Sequence, residues 1–523
     1  MIRSALAAVA VMLLAYDAAA QSVLRRGNRY EPASLDPHLV QTQYESAVVY
    51  DLFEGLATRG PDGQPVPAVA ESWHVSPDGK RWTFKLRDGL TWSDGAPLTA
   101  DDVVFTFRRL LDPGTAGQYA QLMYVVTGAE AVNSGQQPIE TLGVTAPDPR
   151  SVVMDLVNPA PFLVELLANA FASIVPRHAI AAAGDDWAAP GKMVGNGAFT
   201  LTEWQPQSQI VIERNPRFHD ADGVKLDRVI YAPTADLTSA VSRFRAGELD
   251  MQFEFPSAQT EFLRRELPAE TRIGPSLLTY YLAVNGENPK FVDPRVRRAL
   301  SLAIDRETLV GRVLKSGESA AHSFVAPGTA GYAPPDAPDA KLSAEARLAE
   351  AKRLLSDAGY GPDRPLKVVY SHSANEDIRR TAVAIAAMWK RAGIETELLN
   401  REGKVHFAAL KSGDFEVGFV GWTADYNDAA TFLYVLRSES VNSNYARYRN
   451  PAFDRLMAAA DREADAVQRI ALMREAEAVA LTDQAIVPLY HGVTKNLVAA
   501  RVSGFSPNPV DFYPSRYLSI TRR

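Results

Sequence analysis

The sequence predicts an α/β protein with more than one domain. Its 523 residues exceed what a single hydrophobic core supports. Predicted strands at 366–370, 394–399 and 415–421 alternate with predicted helices at 376–392 and 405–411. This β-α-β-α-β order is typical of a parallel, wound sheet. A hydrophobic content of 46% and a charged content of 22% fit a globular chain.

The composition excludes several classes of function. The formal net charge is −7, and no stripe of Lys and Arg suits a nucleic acid. Cysteine is absent, which removes disulfides, thiol catalysis and the cysteine of a lipoprotein anchor. The 8 histidines are scattered, with no pair at helical spacing, so we expect no metal site and no cofactor. No motif of a serine hydrolase, P-loop or zinc protease occurs, and we do not expect an enzyme.

Residues 1–20 predict an export signal. Arg3 supplies the positive charge, residues 5–15 form a short apolar segment, and Ala18, Ala19 and Ala20 are small residues before Gln21. The apolar segment is too short to span a bilayer. We therefore expect cleavage near Ala20/Gln21 and a periplasmic product without a lipid anchor.

In chain order, the first half predicts short elements separated by turns. We expect an extended segment at 40–43, a helix at 45–56, and a half-buried strand where Trp82, Phe84 and Leu86 alternate with polar residues. Thr99 is placed to cap a helix that ends near 111. Further strands are predicted at 141–145, 151–156, 195–201, 209–214, 229–231 and 251–253, with helices at 161–169 and 237–246.

The second half predicts longer helices. Asp293 and Pro294 stand in the order that favours a helix start, here for 294–303. Asp305 begins a predicted helix that reaches 314, and Ser343 caps another that ends at Gly359. A long helix at 468–481 and a strand at 485–490 follow.

The stretch from Phe415 to Tyr426 is a candidate site. It begins as a buried strand and ends in Trp422, Asp425 and Tyr426. Because ligands of open α/β sheets bind beyond the carboxyl ends of the strands, Asp425 is placed at a cleft. Alternatively, Asp425 caps the next helix, although Asp428 is the better-placed cap.

A series of short motifs extends this interpretation. They occur in one order along nearly the whole chain: Leu35-Asp36-Pro37, Asp51-Leu52-Phe53-Glu54-Gly55-Leu56, Pro77-Asp78-Gly79-x-x-Trp82-Thr83-Phe84, Trp92-Ser93-Asp94-Gly95, Asn196-Gly197-Ala198-Phe199, Glu213-Arg214-Asn215-Pro216, Gly247-Glu248-Leu249-Asp250, Asp293-Pro294-Arg295-Val296-Arg297-Arg298-Ala299-Leu300, Gly421-Trp422-x-Ala424-Asp425-Tyr426 and Ile486-Val487-Pro488-Leu489-Tyr490. Together they resemble the extracellular solute-binding protein family 5, the receptors of oligopeptide and dipeptide ABC importers.

The resemblance implies a two-lobed periplasmic binding protein fold of the large three-domain type, class II or cluster C. Domain I would combine 21–53, 176–278 and 491–523. Domain II would be an insertion at 54–175, and domain III would cover 279–490. The ligand would lie in the interdomain cleft, and the two crossings between lobes would form a hinge.

The resemblance also implies how a peptide is held. An extended peptide pairs its backbone with protein strands, which tolerates varied side chains. Asp425 would pair with the peptide α-ammonium, and Tyr119 would lie near the peptide's amino end. The residues that would contact the backbone, or lie between such contacts, are Gly421, Trp422 and Thr423 on one side and Gln41 and Gln43 on the other. The aromatic residues could instead be core residues, and the glutamines surface residues.

The chain departs from the family pattern where a peptide carboxylate would bind. Phe419 stands in place of an Arg, Ile378 or a neighbour in place of a His, and Gly403 near the position of a pocket Trp. Either the ligand is not held by its carboxylate, or a substitute acts. The candidate substitutes are His372, Lys404, Arg379 and Arg401.

We expect a monomeric receptor that binds oligopeptides and delivers them to its ABC permease in the inner membrane. One alternative is a receptor with this fold for an opine, an oligosaccharide or a metal chelate. Two further alternatives are a secreted hydrolase, with a triad assembled in the cleft, and a chaperone-like binder of unfolded chains.

Overall fold

The computed structural model describes residues 21–521. The predicted export signal at 1–20 lies outside the described residues. Within the described part, no helix combines the length and the apolar character that a membrane crossing needs.

Strands and helices alternate along the described chain. The strands are β1 (Val23–Asn28), β2 (Ala57–Arg59), β3 (Pro65–Pro67), β4 (Ala70–Val75), β5 (Arg81–Leu86), β6 (Val144–Asp148), β7 (Ser151–Asp155), β8 (Phe199–Gln205), β9 (Gln209–Arg214), β10 (Arg228–Pro233), β11 (Met251–Phe253), β12 (Thr271–Val284), β13 (Ser319–Ala320), β14 (Leu366–Ser373), β15 (Ile394–Arg401), β16 (Val417–Thr423), β17 (Ile486–Val498), β18 (Val502–Ser503) and β19 (Ser519–Ile520). The α-helices are α1 (Gln43–Leu52), α2 (Ala100–Leu111), α3 (Ala129–Asn133), α4 (Leu163–Leu167), α5 (Arg177–Ala183), α6 (Leu237–Arg245), α7 (Thr260–Glu266), α8 (Pro294–Leu302), α9 (Arg306–Thr308), α10 (Ala344–Asp357), α11 (Glu376–Arg391), α12 (Gly403–Ser412), α13 (Ala430–Leu433), α14 (Pro451–Ala460) and α15 (Ala466–Thr482).

An 11-stranded sheet runs through the molecule in the order β15-β14-β16-β12-β17-β11-β1-β10-β9-β8, with β13 attached to β17. Strand β14 is parallel to both β15 and β16, which confirms the predicted parallel unit. The sheet is mixed, because β12 and β16 are antiparallel. Strand β16 ends at Thr423, two residues later than predicted, so Asp425 lies just beyond it.

Separate hydrophobic cores lie along this chain. One gathers buried residues from Leu56 to Ile174 around a four-stranded sheet, β4-β5-β7-β6. Another joins β1 and β8–β10 to the C-terminal segment. Two more pack on the faces of the β14-β16-β12 region. The domain limits proposed above remain a prediction.

Strands β12 and β17 connect the two halves of the large sheet. They pair with each other from Thr271↔Leu497 to Ala283↔Ile486, with a break in register between Pro275 and Thr279. At this break Leu278 lies against Gly492, where an added Cβ would meet the Leu278 Cδ2 at 2.8 Å. The two strands therefore run side by side from one predicted lobe to the other, where the hinge is predicted. This region is called the β12–β17 crossing.

Several local predictions were wrong, among them the helix at 45–56, which begins at Gln43 and ends at Leu52. The predicted extended segment 40–43 ends one residue early, because Gln43 already begins α1. Thr42 caps this helix: its hydroxyl accepts from the Glu45 N–H at 3.3 Å, and the Glu45 carboxylate accepts from the Thr42 N–H at 2.9 Å. The predicted helix at 305–314 is α-helical only over α9 and continues as a wider π-helical turn, Leu309–Leu314.

Candidate functional site

A cavity of about 530 Å³ lies beside the crossing of β12 and β17. Segments that are far apart in sequence line it, at 40–46, 169–171, 254–257, 276–280, 375–378, 423–426, 490–495 and 509–512. It therefore borders several of the hydrophobic cores. A cavity of this size, with polar groups along its wall, can hold a small peptide or a comparable molecule.

One edge of β16 has unpaired backbone groups, and the last residue of this strand, Thr423, lines the cavity. Strand β14 pairs only with the first two residues of β16, and among residues 21–521 no other strand pairs with this edge. On the opposite edge, the Ala424 N–H donates to the Leu277 carbonyl at 2.8 Å. Because backbone hydrogen-bond direction alternates along a strand, the backbone groups of Gly421 and Thr423 point away from β12. They are available to an extended ligand.

Asp425 lines the cavity immediately after this edge. Its backbone N–H donates to the Thr431 hydroxyl at 3.1 Å, which fixes the loop. Burial raises the pKa of the Asp425 carboxyl to about 6, and within the described chain no cation offsets this rise. Asp425 is therefore a carboxyl held in the cavity without a counter-charge.

The alternative that Asp425 caps α13 is wrong. The Ala430 N–H at the start of this helix donates to Asp428 at 2.8 Å. The same carboxylate accepts two hydrogen bonds from Arg469, at 2.7 and 2.9 Å. Asp428 thus performs the structural role, which leaves Asp425 free for a ligand.

Tyr119 lies on the same cavity wall. Its ring stacks on Phe171 at 5.6 Å, and its hydroxyl donates to the Gln41 carbonyl at 3.1 Å. Burial raises the pKa of Tyr119, and the negative charges of Asp425 and Glu45 add to this rise. Tyr119 and Asp425 therefore share one electrostatic environment.

The other predicted contact residues divide into two groups. Gln43 and Thr423 line the cavity, whereas Gln41, Gly421 and Trp422 do not. The Trp422 indole N–H donates to the Thr431 carbonyl at 2.8 Å. Trp422 therefore positions the loop that carries Asp425. The ligand contacts assigned to all seven residues remain a prediction.

The substitutes proposed for the carboxylate end lie elsewhere. The Phe419 ring packs against Tyr280 at 5.5 Å within a core, and Ile378 lines the cavity. Gly403 begins α12. Within residues 21–521, none of the four candidate substitutes lines the cavity. These candidates are His372, Lys404, Arg379 and Arg401.

Sequence reasoning missed several charged groups in the cavity. Arg29 forms an ion pair with Glu254, which also accepts from the Tyr44 hydroxyl at 3.1 Å. Asp511 accepts from the Asn496 amide at 2.8 Å, and burial raises its pKa to about 7. These partners are about 15 to more than 200 residues apart, so no local motif could have indicated them.

Contacts across the cavity's rim join two of the cores. Tyr426 stacks on Phe162, with ring centroids 4.9 Å apart, and the Arg469 guanidinium lies 5.0 Å from the same ring. The Asn169 amide donates to the Asp425 carbonyl at 3.4 Å. Residues 54–175 and 279–490 therefore meet beside Asp425.

The cavity lies between α/β cores, and the neighbouring strands β12 and β17 connect these cores. This arrangement defines a two-lobed binding protein. The sequence comparison specifies the kind. Residues 64–444 match the model of the bacterial extracellular solute-binding proteins, family 5 Middle. The chain belongs to this family.

Similar proteins cover the whole described architecture. The periplasmic oligopeptide-binding protein OppA of Escherichia coli is 38% identical over 96% of this chain and 93% of its own length. The structure of the Escherichia coli murein tripeptide binding protein MppA aligns with a TM-score of 0.83 at 35% identity, covering 97% of this chain and 99% of that one. The Haemophilus influenzae OppA complex with RPPGFSPFR aligns with a TM-score of 0.81 at 34% identity, covering 96% and 99%.

Proposed function

We propose that this protein is the periplasmic receptor of an ABC importer and binds oligopeptides in the cavity beside β16. One observation carries the proposal: Asp425, a carboxyl without a counter-charge, follows directly on the unpaired edge of Gly421 and Thr423. A peptide supplies what both features lack. Its α-ammonium provides the positive charge, and its extended backbone provides hydrogen-bonding partners.

Charge pairing at Asp425 gives the peptide's amino end its affinity. Breaking a buried ion pair by removing one partner costs about 3–5 kcal/mol, which corresponds to roughly two to three and a half decades in Kd. Backbone pairing along Gly421 and Thr423 adds affinity without reading side chains. The receptor therefore accepts peptides of varied sequence.

Closure of the lobes completes the site. Ligand binding favours the closed state only through contacts that the open state lacks. The wall of the cavity comes from both sides of the β12–β17 crossing, with Tyr119 and Gln43 on one side and Thr423 and Asp425 on the other. A peptide that touches both sides therefore stabilises closure.

The relatives support this assignment. OppA of Escherichia coli is named an oligopeptide-binding protein, and OppA of Haemophilus influenzae was solved with a nine-residue peptide. Both relatives are named for binding a ligand. We propose that this chain likewise binds its ligand without catalysing a reaction. We further propose that it acts as a monomer in the periplasm and delivers its peptide to a permease in the inner membrane.

Native mass spectrometry of the purified mature protein tests the proposal. We expect a co-purified peptide, or a set of peptides, released on denaturation. Thermal melting with added peptides, opines and oligosaccharides is the complementary measurement. A melting temperature that rises with a non-peptide solute and with no peptide would overturn the assignment.

A further inference from the structure

The positive charges in the cavity are few, and most are already paired. Three basic side chains line it within residues 21–521: Arg29, Arg59 and Lys495. Arg29 is paired with Glu254. Arg59, whose side chain is only 2% exposed, is paired with Glu165 at 2.5 Å. Neither guanidinium is therefore free to neutralise a charge on a ligand.

Lys495 differs from both arginines. It lies on β17, three residues after Gly492 at the crossing of the lobes, and it is half-buried. Its ammonium donates to the Ser257 hydroxyl at 2.6 Å, and no carboxylate of the described chain pairs with it. An ammonium group carries three N–H donors, so two remain for a ligand.

Lys495 lies on a strand at one edge of β12, and Asp425 directly follows a strand at the other edge. Strand β16, which leads to Asp425, pairs with one edge of β12, and β17, which carries Lys495, pairs with the other. Both side chains line the same cavity. One ligand can therefore meet a negative group at one point and a positive group at another.

We propose that Lys495 binds the carboxylate of the peptide, opposite the α-ammonium site at Asp425. This assignment rests on the proposed peptide-binding function and defines the ligand as a zwitterion with both ends free. The carboxylate lies beside the Lys495 ammonium, which the Ser257 hydroxyl orients. The aromatic and aliphatic wall at Tyr280, Leu314 and Ile378 then surrounds the ligand's uncharged part.

Two further acids that line the cavity already have cationic partners, whereas Glu318 and Asp511 accept hydrogen bonds from Ser316 and Asn496. The negative charge of Glu254 is compensated by Arg29. Asp377, which lines the cavity, is paired at 2.7 Å with Arg380, which does not line it. Without Lys495, the charged groups that a ligand carboxylate would meet on the described wall are acids and already paired cations.

Isothermal titration with matched peptides tests the assignment. The ligands are alanine peptides of two to six residues, each with a free carboxylate or as the C-terminal amide. In the unmodified protein we expect the free acid of the preferred length to bind about tenfold or more tightly than its amide. In Lys495→Met we expect the two forms to bind within about twofold, because the charge that distinguishes them is gone.

Two controls define the result. Lys315→Met removes an exposed lysine that lies 3.5 Å from Glu261 and outside the cavity lining, so it should leave the acid-to-amide ratio unchanged. Lys495→Arg keeps the charge and should retain most of the preference. The acid-to-amide ratio of the unmodified protein is itself a test that needs no variant to fold.

The possible outcomes separate the two proposals. Equal binding of acid and amide by the unmodified protein, or an unchanged ratio in Lys495→Met, overturns the role of Lys495 and leaves peptide binding intact. Failure of every peptide to bind, acid or amide, overturns both.

Discussion

Replacing Asp425 by Asn should move affinity and stability in opposite directions. The substitution keeps the shape of the side chain and removes its charge. A peptide ammonium that loses its buried carboxylate forfeits about 3–5 kcal/mol. Because Asn still accepts a hydrogen bond, we expect the loss in affinity to be at least about tenfold.

The ligand-free protein should respond with the opposite sign. Burial raises the pKa of Asp425 from 3.8 to about 6. Between these values the folded protein binds more protons than the unfolded chain, so the free energy of unfolding falls as the pH rises through this window. At pH 7 the ionised carboxyl is therefore a cost, which Asn removes. After a discount for partial exposure, the gain in stability is about 1–3 kcal/mol.

Calorimetric titration and urea unfolding at pH 7 measure the two effects. Asp428→Asn is the informative comparison, because that carboxylate is paired with Arg469 and should lose stability where Asp425→Asn gains it. Unchanged peptide affinity in Asp425→Asn, or a lower free energy of unfolding than in the unmodified protein, would refute the reasoning.

Three further predictions follow from the same loop. Peptide affinity should weaken as the pH falls below about 6, since Asp425 must be ionised to pair with an ammonium. Titrations from pH 7.5 to 4.5 should show this decline in the unmodified protein but not in Asp425→Asn. Arg469→Met should lower the free energy of unfolding by about 3 kcal/mol, because it leaves the charge of Asp428 without its partner. If the double variant with Asp428→Asn loses as much free energy of unfolding as Arg469→Met alone, the pair is not coupled. Trp422→Phe should cost about 1 kcal/mol of stability by leaving the Thr431 carbonyl without its donor. It should change peptide affinity by less than about threefold. A loss of affinity as large as that of Asp425→Asn would make Trp422 a direct ligand contact.

The sequence was informative where local pattern decides structure. The apolar segment ending at Thr423 and the helices on either side of β15 have clear periodicity, so the parallel unit and the position of Asp425 just beyond a strand end could be predicted. Capping competes with strand propensity over short segments, and this is why Gln43 was placed in the wrong element.

The charged wall of the cavity could not be predicted in this way. Lys495 meets Ser257 across 238 residues of sequence, and Arg29 meets Glu254 across 225. Such pairs depend on which strands become neighbours in the large sheet, and no spacing motif records that. The four candidates for the carboxylate end fall outside the cavity lining for the same reason.

The central claim is that Asp425 pairs with the ammonium of a bound peptide, and a thermodynamic cycle tests it most directly. The affinity of one peptide and of its N-acetylated form is measured by calorimetry in the unmodified protein and in Asp425→Asn. The claim predicts that acetylation weakens binding by about two decades or more in the unmodified protein and only slightly in the variant. An equal loss in both proteins would show that the ammonium is held elsewhere.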